Sequence, residues 1–454
     1  MLVARFGWSL YLGYHLRNQR KIPFKPISEI GMLQSKRLQH MIKHAYDTVP
    51  YYKDTLTGLG LKPNDFKRVE DLSKLPLLGR EQLQQDPDYF LSTAQSPESY
   101  LKLRSGGSTG TPRTVYHNAG ALFQNAAHGE RERSIFTRLV EKSLGYRETV
   151  IASPFSTAAK VQNFCRNHGF FPRKAQIERQ YLSLLDEPKK NLELLNEFRP
   201  DIIQSYGSYL DDLSNYILSE GVHFNRPKLI TYSSDRPSET TRKLIEKEFQ
   251  IPVLSTYQVI EAFKIGFECE SHQGLHLNID LYPIRIVDQA GQTLPAGESG
   301  DVVVSNLVNR ATVLLNYRLG DIARILPERC SCGRTLPLLS FLQGRSDDWI
   351  ELTNGKAIHP QAIRTIFTNE IEILQYQVIQ KDRIHFEILL VAIENCNRDA
   401  VKERVKQKFM RLFGQNVFCD IAYVNSITKT AGGKHRPVMS FKGKPQIARA
   451  GSLK

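Results

Sequence analysis

Cysteine is scarce, with six in 454 residues. No closely spaced even set would staple a small secreted fold, so a reducing, cytoplasmic setting fits best. No apolar run approaches the roughly 20 residues that a bilayer-spanning helix needs. Residues 1–14 are apolar and aromatic, but they carry Arg5 and lack both a long apolar core and a small-residue cleavage site. That pattern is not a secretory signal. Internal repeats are absent. Hydrophobic residues make up 41% and charged residues 24%, which excludes a mainly disordered, collagenous or coiled-coil chain. The length suits about two to four domains.

Acidic residues are outnumbered, 47 against 61 Lys and Arg, for a formal charge of +14. Such an excess favours anionic partners: nucleotides, acidic sugars, nucleic acid or a membrane surface. Part of it is local, since residues 425–454 hold seven Lys or Arg and no acid, the composition of a solvated basic tail. No aromatic–basic stacking array and no recognition helix accompany the charge, which argues against nucleic acid. Residues 1–25 read as a helix. Trp8, Leu10, Tyr11 and Leu16 are flanked by Arg17, Arg20 and Lys21. The expectation is docking on the protein's own core, and the composition would also permit peripheral membrane contact.

Along the chain, Met32, Leu33, Leu38, Ile42 and Ala45 recur near helical spacing until Val49-Pro50 stops the pattern. The middle alternates β-like runs (149–152, 201–204, 229–232, 253–256) with helix-like stretches (183–197, 209–220, 238–249). This alternation predicts an α/β fold with a largely parallel sheet. Residues 276–280, 284–288, 301–306 and 312–317 are short runs between Gly and Pro, as in a small antiparallel unit. After Gly344 the order reads strand, helix, strand, strand, helix, strand. The predicted architecture is a large N-terminal lobe (1–344) of several subdomains, with mostly parallel sheets and a small β-unit. A hinge (345–348), a small mobile α+β C-terminal lobe (349–440) and a disordered tail (441–454) follow.

The segment Arg104-Ser105-Gly106-Gly107-Ser108-Thr109-Gly110-Thr111-Pro112 combines three glycines with four hydroxyl residues. Its backbone N–H groups suit a phosphate-binding nest. No Gly-Lys-Ser/Thr follows, so it is not a P-loop. Tyr317-Arg318-Leu319-Gly320-Asp321 places a carboxylate just after a strand and turn, where it can accept hydrogen bonds from ribose hydroxyls. Gly344-Arg345-Ser346-Asp347-Asp348 lies at the domain boundary. Thr430-Ala431-Gly432-Gly433-Lys434 puts a lysine on a loop near the C-terminus.

The order and spacing of these motifs resemble the adenylate-forming superfamily of acyl-CoA synthetases, luciferases and adenylation domains. Within it, the phenylacetate–CoA ligases and the CapK-like capsule-biosynthesis group are most similar. The resemblance covers roughly residues 30–440 and includes Val49-Pro50-Tyr51-Tyr52 and Cys330-Ser331-Cys332-Gly333-Arg334-Thr335. It implies an AMP-forming ligase. Such an enzyme joins a small-molecule carboxylate to ATP with Mg²⁺, releases pyrophosphate, and passes the acyl group to an acceptor. The acceptor would be CoA, a carrier protein or a sugar amine or hydroxyl, in the last case in polysaccharide biosynthesis. The carboxylate and the triphosphate repel one another, so catalysis is mostly positioning and charge neutralisation at the α-phosphorus.

By the resemblance, Ser105, Gly107, Ser108, Thr109 and Gly110 hold the β- and γ-phosphates. Asp321 binds ribose, and Arg345 lies close to the nucleotide. Asp347 is the hinge, and Lys434 bridges carboxylate and α-phosphate oxygens. Tyr257-Gln258-Val259-Ile260-Glu261 matches the family's Tyr-Gly-x-Ser/Thr-Glu segment. Tyr257 would stack near adenine and Glu261 would orient Mg²⁺. Ser233, Ser234 and Asp235 form the other adenine-contacting turn. Gly106, Gln258 and Ile260 depart from the family pattern, and Thr111 stands where many relatives carry Lys. Gln258 and Ile260 motivate the alternative of a weakly active or inactive scaffold that retains the fold. Phe155, Tyr206, Tyr209 and Tyr232 are candidate acyl-pocket walls or core.

Cys330 and Cys332 in a Gly-containing turn, with the distant Cys269 and a histidine, suit a tetrahedral structural zinc site. The resemblance supports this reading, because some relatives place Zn²⁺ on matching cysteines and a histidine. It favours His276, within Gly274-Leu275-His276, with His272 as the alternative. Cys165, Cys396 and Cys419 show no partner pattern and read as core.

Overall fold

The computed structural model describes residues 2–104, 113–153, 156–170, 177–345, 350–353, 357–358, 360–367, 370, 372–393, 395–414, 416–428 and 435–441. Two compact units form, one from Met1–Ser105 with Arg113–Leu342 and the other from Gln343–Lys454.

The first unit opens with helices α1 (Leu2–Leu16), α2 (Ile27–Thr48), α3 (Pro50–Gly58) and α4 (Arg80–Gln85). Pro50 ends α2 and begins α3: a proline's missing N–H costs nothing at a first helical position, and its ring disfavours helix in the residue before it. Strands β1 (Leu101–Arg104) and β2 (Thr114–His117) pair antiparallel, with Arg104 opposite Thr114. The glycine-rich segment therefore joins two hairpin strands, and its residues 105–112 lie outside the described residues. Helices α5 (Ala119–His128) and α6 (Glu130–Val140) follow.

Next comes the alternation read from the sequence: β3 (Arg147–Ala152), α7 (Thr157–His168), β4 (Glu178–Ser183), α8 (Pro188–Phe198), β5 (Ile202–Tyr206), α9 (Gly207–Glu220), β6 (Leu229–Ser233), α10 (Glu239–Lys243) and β7 (Val253–Val259). A single π-helical turn, Leu244–Glu248, continues α10. These strands pair in parallel in the order β4-β3-β5-β6-β7. Beyond β7 the sheet continues antiparallel through β8 (Phe263–Glu268) and β9 (Leu275–Leu277) to β14 (Leu338–Leu339) and β13 (Ile325–Leu326), nine strands in all. A smaller antiparallel layer pairs β10 (Ile284–Val287), β11 (Gly300–Val304) and β12 (Tyr317–Ala323).

The structure departs from the sequence expectations at four places, the first being that the helix expected over 1–25 ends at Leu16. The helix expected over 183–197 begins at Pro188, because Ser183 closes β4. The run 276–280 joins the large sheet, not the small β-unit: His276 lies opposite Phe267 and Leu338. The run 312–317 is not a strand but approaches one, and the regular pairing starts at Tyr317.

The second unit holds β15 (Gly344–Arg345), β16 (Ile350–Glu351), β17 (Ala357–Ile358), α11 (Pro360–Phe367), β18 (Ile373–Gln380), β19 (His385–Ala392), α12 (Arg398–Phe413), β20 (Phe418–Tyr423) and β21 (Val438–Met439). Its four-stranded sheet runs β20-β19-β18-β21. Helix α12 buries Val401, Val405, Phe409 and Phe413, one face at every fourth residue. Each such side chain contributes about 1.5–3 kcal/mol when fully buried. Gln377 Nε2 donates to the Arg436 carbonyl at 3.0 Å, which fastens the chain just after 429–434. Lys434 itself lies outside the described residues, as do Asp347 and the tail 442–454.

One buried acid ties the parallel layer together. Asp211 of α9 accepts from the Ser238 backbone N–H at 2.9 Å, and Ser238 caps α10. Burial pushes the Asp211 carboxyl up from 3.8 to about 7, against the pull of its Thr241 and Ser238 hydrogen bonds. The native state then holds a proton that the unfolded chain releases. Stability should fall as pH rises from 3.8 toward about 7 and level off above it, by on the order of 4 kcal/mol. Asp211→Asn keeps an acceptor for Ser238 without the charge. Denaturant titrations across that window should show the variant gaining on the wild type as pH rises; parallel curves would contradict this account.

Candidate functional site

In an open parallel sheet, ligands lie outside the carboxyl ends of the strands. Those ends carry the residues singled out from the sequence. Strand β5 ends at Tyr206, β6 at Ser233, and Tyr257 lies beyond Ser255, the last β7 residue paired with β6. Ser234 follows with a φ of +75°, and this left-handed residue turns the chain into Asp235. The Ser208 backbone N–H donates to Asp235 Oδ1 at 3.3 Å. Gly207 leaves no alternative at the start of α9, because a Cβ there would meet the Pro237 nitrogen at 2.2 Å.

Two buried pairs form the centre. The Tyr257 hydroxyl donates to Asp321 Oδ2 at 2.8 Å, and both residues are buried. Burial, then the Asp321 and Glu261 charges, holds the Tyr257 phenol well above its ordinary value, so it remains a donor. The second pair joins Arg113 Nη1 to Glu261 Oε1 at 2.7 Å. Arg113 also donates to the Tyr317 hydroxyl at 3.1 Å. Burial alone would lower the guanidinium's pKa; Glu261, Tyr317 and Asp321 outweigh it and raise it. A charge pair this buried carries a large desolvation cost, so removing either partner leaves the other uncompensated.

The backbone presents these acids deliberately. Asp321 was expected after a strand and turn but lies within β12, at an irregularity: Asp301 pairs with Ile322 while Val303 pairs with Arg318. Gly320 there has a φ of +77°, and such bulges re-aim a side chain. Glu261 sits in the β7–β8 hairpin turn. Its own carbonyl accepts from Asn306 Nδ2 at 2.8 Å. The preceding Ile260 carbonyl bonds His117 Nε2 at 2.8 Å. Burial lowers His117 to about 4, so the imidazole is neutral and its Nε2–H donates.

Of the two unusual positions, Ile260 packs against the main core of this unit. Gln258 is exposed and donates to Thr256 Oγ1 at 3.3 Å. Tyr209 and Tyr232 are buried core residues, with the Asn191 amide on the Tyr209 hydroxyl. Tyr206 is half-buried, and Phe155 lies outside the described residues. The Arg345 backbone is in β15. Arg113 and His117 were missed from the sequence: an arginine after Pro112 and a histidine closing a short strand belong to no motif.

A second cluster joins four residues distant in sequence. Cys269, His276, Cys330 and Cys332 bring their ligand atoms within 4.8 Å of one another. Cys269 Sγ lies 3.6 Å from Cys330 Sγ, and Cys332 Sγ lies 3.3 Å from His276 Nε2. The edge of a tetrahedral zinc–thiolate site is about 3.8 Å. Burial pushes the Cys269 thiol up to about 12, whereas the hydrogen bonds and charge of Arg334 lower Cys332 against its burial. Burial and then Arg334 lower His276 to about 4, which keeps the imidazole in its neutral, ligating form. His272 is placed elsewhere, with Nδ1 2.8 Å from Glu268. Cys165 is core, Cys419 packs at the edge of the second unit's core, and Cys396 is half-exposed.

Residues 350–440 match the family described as the CapK C-terminal domain. The chain is 24% identical over 416 residues to a phenylacetate–coenzyme A ligase of Thermus thermophilus, covering 88% of this chain and 87% of that one. It is 21% identical over 427 residues to protein CapK of Staphylococcus aureus, covering 90% and 89%. The crystal structure of a 2-hydroxyisobutyryl-CoA ligase bound to an acyl-AMP shares the fold, with a TM-score of 0.75 at 16% identity over 93% of this chain and 91% of that one.

Proposed function

We propose that this chain, a relative of the phenylacetate–CoA ligases and of CapK with the fold of adenylate-forming CoA ligases, is an AMP-forming ligase. It would join a small-molecule carboxylate to the α-phosphorus of ATP, release pyrophosphate, and hand the acyl group to CoA. CoA as acceptor is supported by the likeness to a phenylacetate–coenzyme A ligase and a 2-hydroxyisobutyryl-CoA ligase. The observation that carries the reading is the buried Tyr257–Asp321 pair beside the Arg113–Glu261 pair, at the carboxyl end of the parallel sheet.

In this reading Asp321 accepts hydrogen bonds from the ribose hydroxyls, and the Tyr257 hydroxyl orients its carboxylate. Tyr257 and the Ser233–Asp235 turn line the adenine. Glu261 offers the hard oxygen donors that Mg²⁺ requires, and the bound ion would neutralise phosphate charge. Arg113 compensates Glu261 inside the protein. The roles given to Ser105, Gly107, Ser108, Thr109, Gly110, Arg345 and Lys434 rest on the motif resemblance.

Acid-dependent exchange of pyrophosphate into ATP tests this. Asp321→Ala should lower exchange by at least about a hundredfold, and Tyr257→Phe by about tenfold through a weaker hold on ATP. ATP binding with no acid-dependent exchange over a broad acid panel would favour the inactive-scaffold alternative.

We further propose that Cys269, His276, Cys330 and Cys332 bind a structural Zn²⁺. All four positions are protein ligands, so the ion would close the fold by pinning the β13–β14 connection to β9. Elemental analysis should find about one zinc per chain. Cys330→Ser should lose it and lower the melting temperature by several degrees. Metal-free wild type with an unchanged melting curve would refute the assignment.

A further inference from the structure

Helix α1 is apolar nearly all round, yet only one side of it is covered. Trp8, Tyr11 and Leu12 pack with Leu122, Phe123, Val161 and Cys165. Trp8 stacks on Phe123, with ring centroids 5.2 Å apart and planes within 6°. Gln124 Nε2 donates to the Tyr11 hydroxyl at 2.5 Å. The polar residues of the helix are spent on the same attachment. Arg5 donates to the Gly169 carbonyl at 3.0 Å, and Ser9 Oγ accepts from the Phe170 backbone N–H at 2.8 Å. The helix is therefore a fixed part of the first unit.

The opposite side carries Val3, Phe6, Leu10 and Tyr14, spaced three, four and four residues apart, which is one stripe of an α-helix. Their exposures are 87, 63, 61 and 67%, and Phe170 beside Ser9 is 64% exposed. No charged side chain interrupts the stripe. Gly7 and Gly13 fall on the same side, with nothing within 4 Å of where a Cβ would sit. A helix exposed to water normally shows it a charged face; this one shows it a hydrocarbon face.

The surrounding charge selects the occupant. Residues 1–28 contain Arg5, Arg17, Arg20, Lys21 and Lys25 and no Asp or Glu. Arg17 and Lys21 are exposed and make no ion pair with a described residue. A second copy of the chain would bring like charges together across the stripe, whereas an anionic lipid surface would be complementary. No described helix is long and apolar enough to cross a membrane, and α1 has only one bare side. We infer that α1 is an interfacial helix that lays its Val3–Phe6–Leu10–Tyr14 stripe into the headgroup boundary of an anionic phospholipid bilayer, with Arg17 and Lys21 on the lipid phosphates. The stripe and its flanking charges all belong to the first unit, and the inference does not depend on the ligase reading.

Flotation of the full chain with vesicles tests it, using phosphatidylcholine alone or mixed with phosphatidylglycerol. The wild type should float with the mixed vesicles and much less with the neutral ones, and added salt should weaken binding. Phe6→Ser with Leu10→Ser changes side chains outside the packed cluster of α1 and should retain the melting temperature while partitioning at least about tenfold less. Arg17→Gln with Lys21→Gln should lower binding to mixed vesicles by about tenfold and leave neutral vesicles unaffected. Wild type that binds no better than the serine variant, or equally to both vesicle types, would overturn the inference. So would a wild-type dimer that becomes monomeric in the serine variant, since a second copy would then cover the stripe.

Discussion

Two carboxylates are buried where the sheet ends, and the local structure is arranged to make that tolerable. Unpartnered, either would cost several kcal/mol of desolvation. Asp321 is held by a phenol and Glu261 by a guanidinium. Each acid also sits on an irregular piece of backbone: a bulge with Gly320 in the left-handed region, and a hairpin turn braced by His117 and Asn306. Under the proposed ligase reading, a polyphosphate ligand would need charge and polarity fixed in advance, because reorganising them during the reaction would add to the barrier. The folding cost of burying these acids and the preorganisation of the site are the same physical fact.

Much of the framework was legible because parallel strands buried on both faces write continuous apolar runs. The runs at 149–152, 229–232 and 253–256 are strands β3, β6 and β7. The boundary errors arose where tertiary pairing overrode local pattern. Ser183 reads as helical but completes β4 against β3. Leu275–Leu277 looks like part of a small unit but finds its partners in β8 and β14. Asp321 was expected just after a strand and turn, and the bulge that keeps it inside β12 depends on register with β11.

The site residues divide along the same line. Asp321 was singled out in its own motif and Tyr257 and Glu261 through the family resemblance, and the fold brings the three close together. Arg113 and His117 were invisible, since their significance comes from lying next to Glu261 and Ile260, more than a hundred residues away in sequence. The Cys/His cluster was half legible: Cys-x-Cys marks a turn and the resemblance favoured His276, and the pairing of β9 with β14 brings His276 to the cysteines while His272 turns to Glu268.

Turnover with a carboxylic acid carrying heavy oxygen in both carboxyl positions tests the central claim most directly. If the carboxylate attacks the α-phosphorus, its attacking oxygen becomes the bridge of the acyl-adenylate and leaves with AMP when the acceptor attacks the carbonyl carbon. Mass spectrometry should then find AMP with one heavy oxygen and the acyl product with the other. Unlabelled AMP, or ADP in place of AMP, would contradict the account.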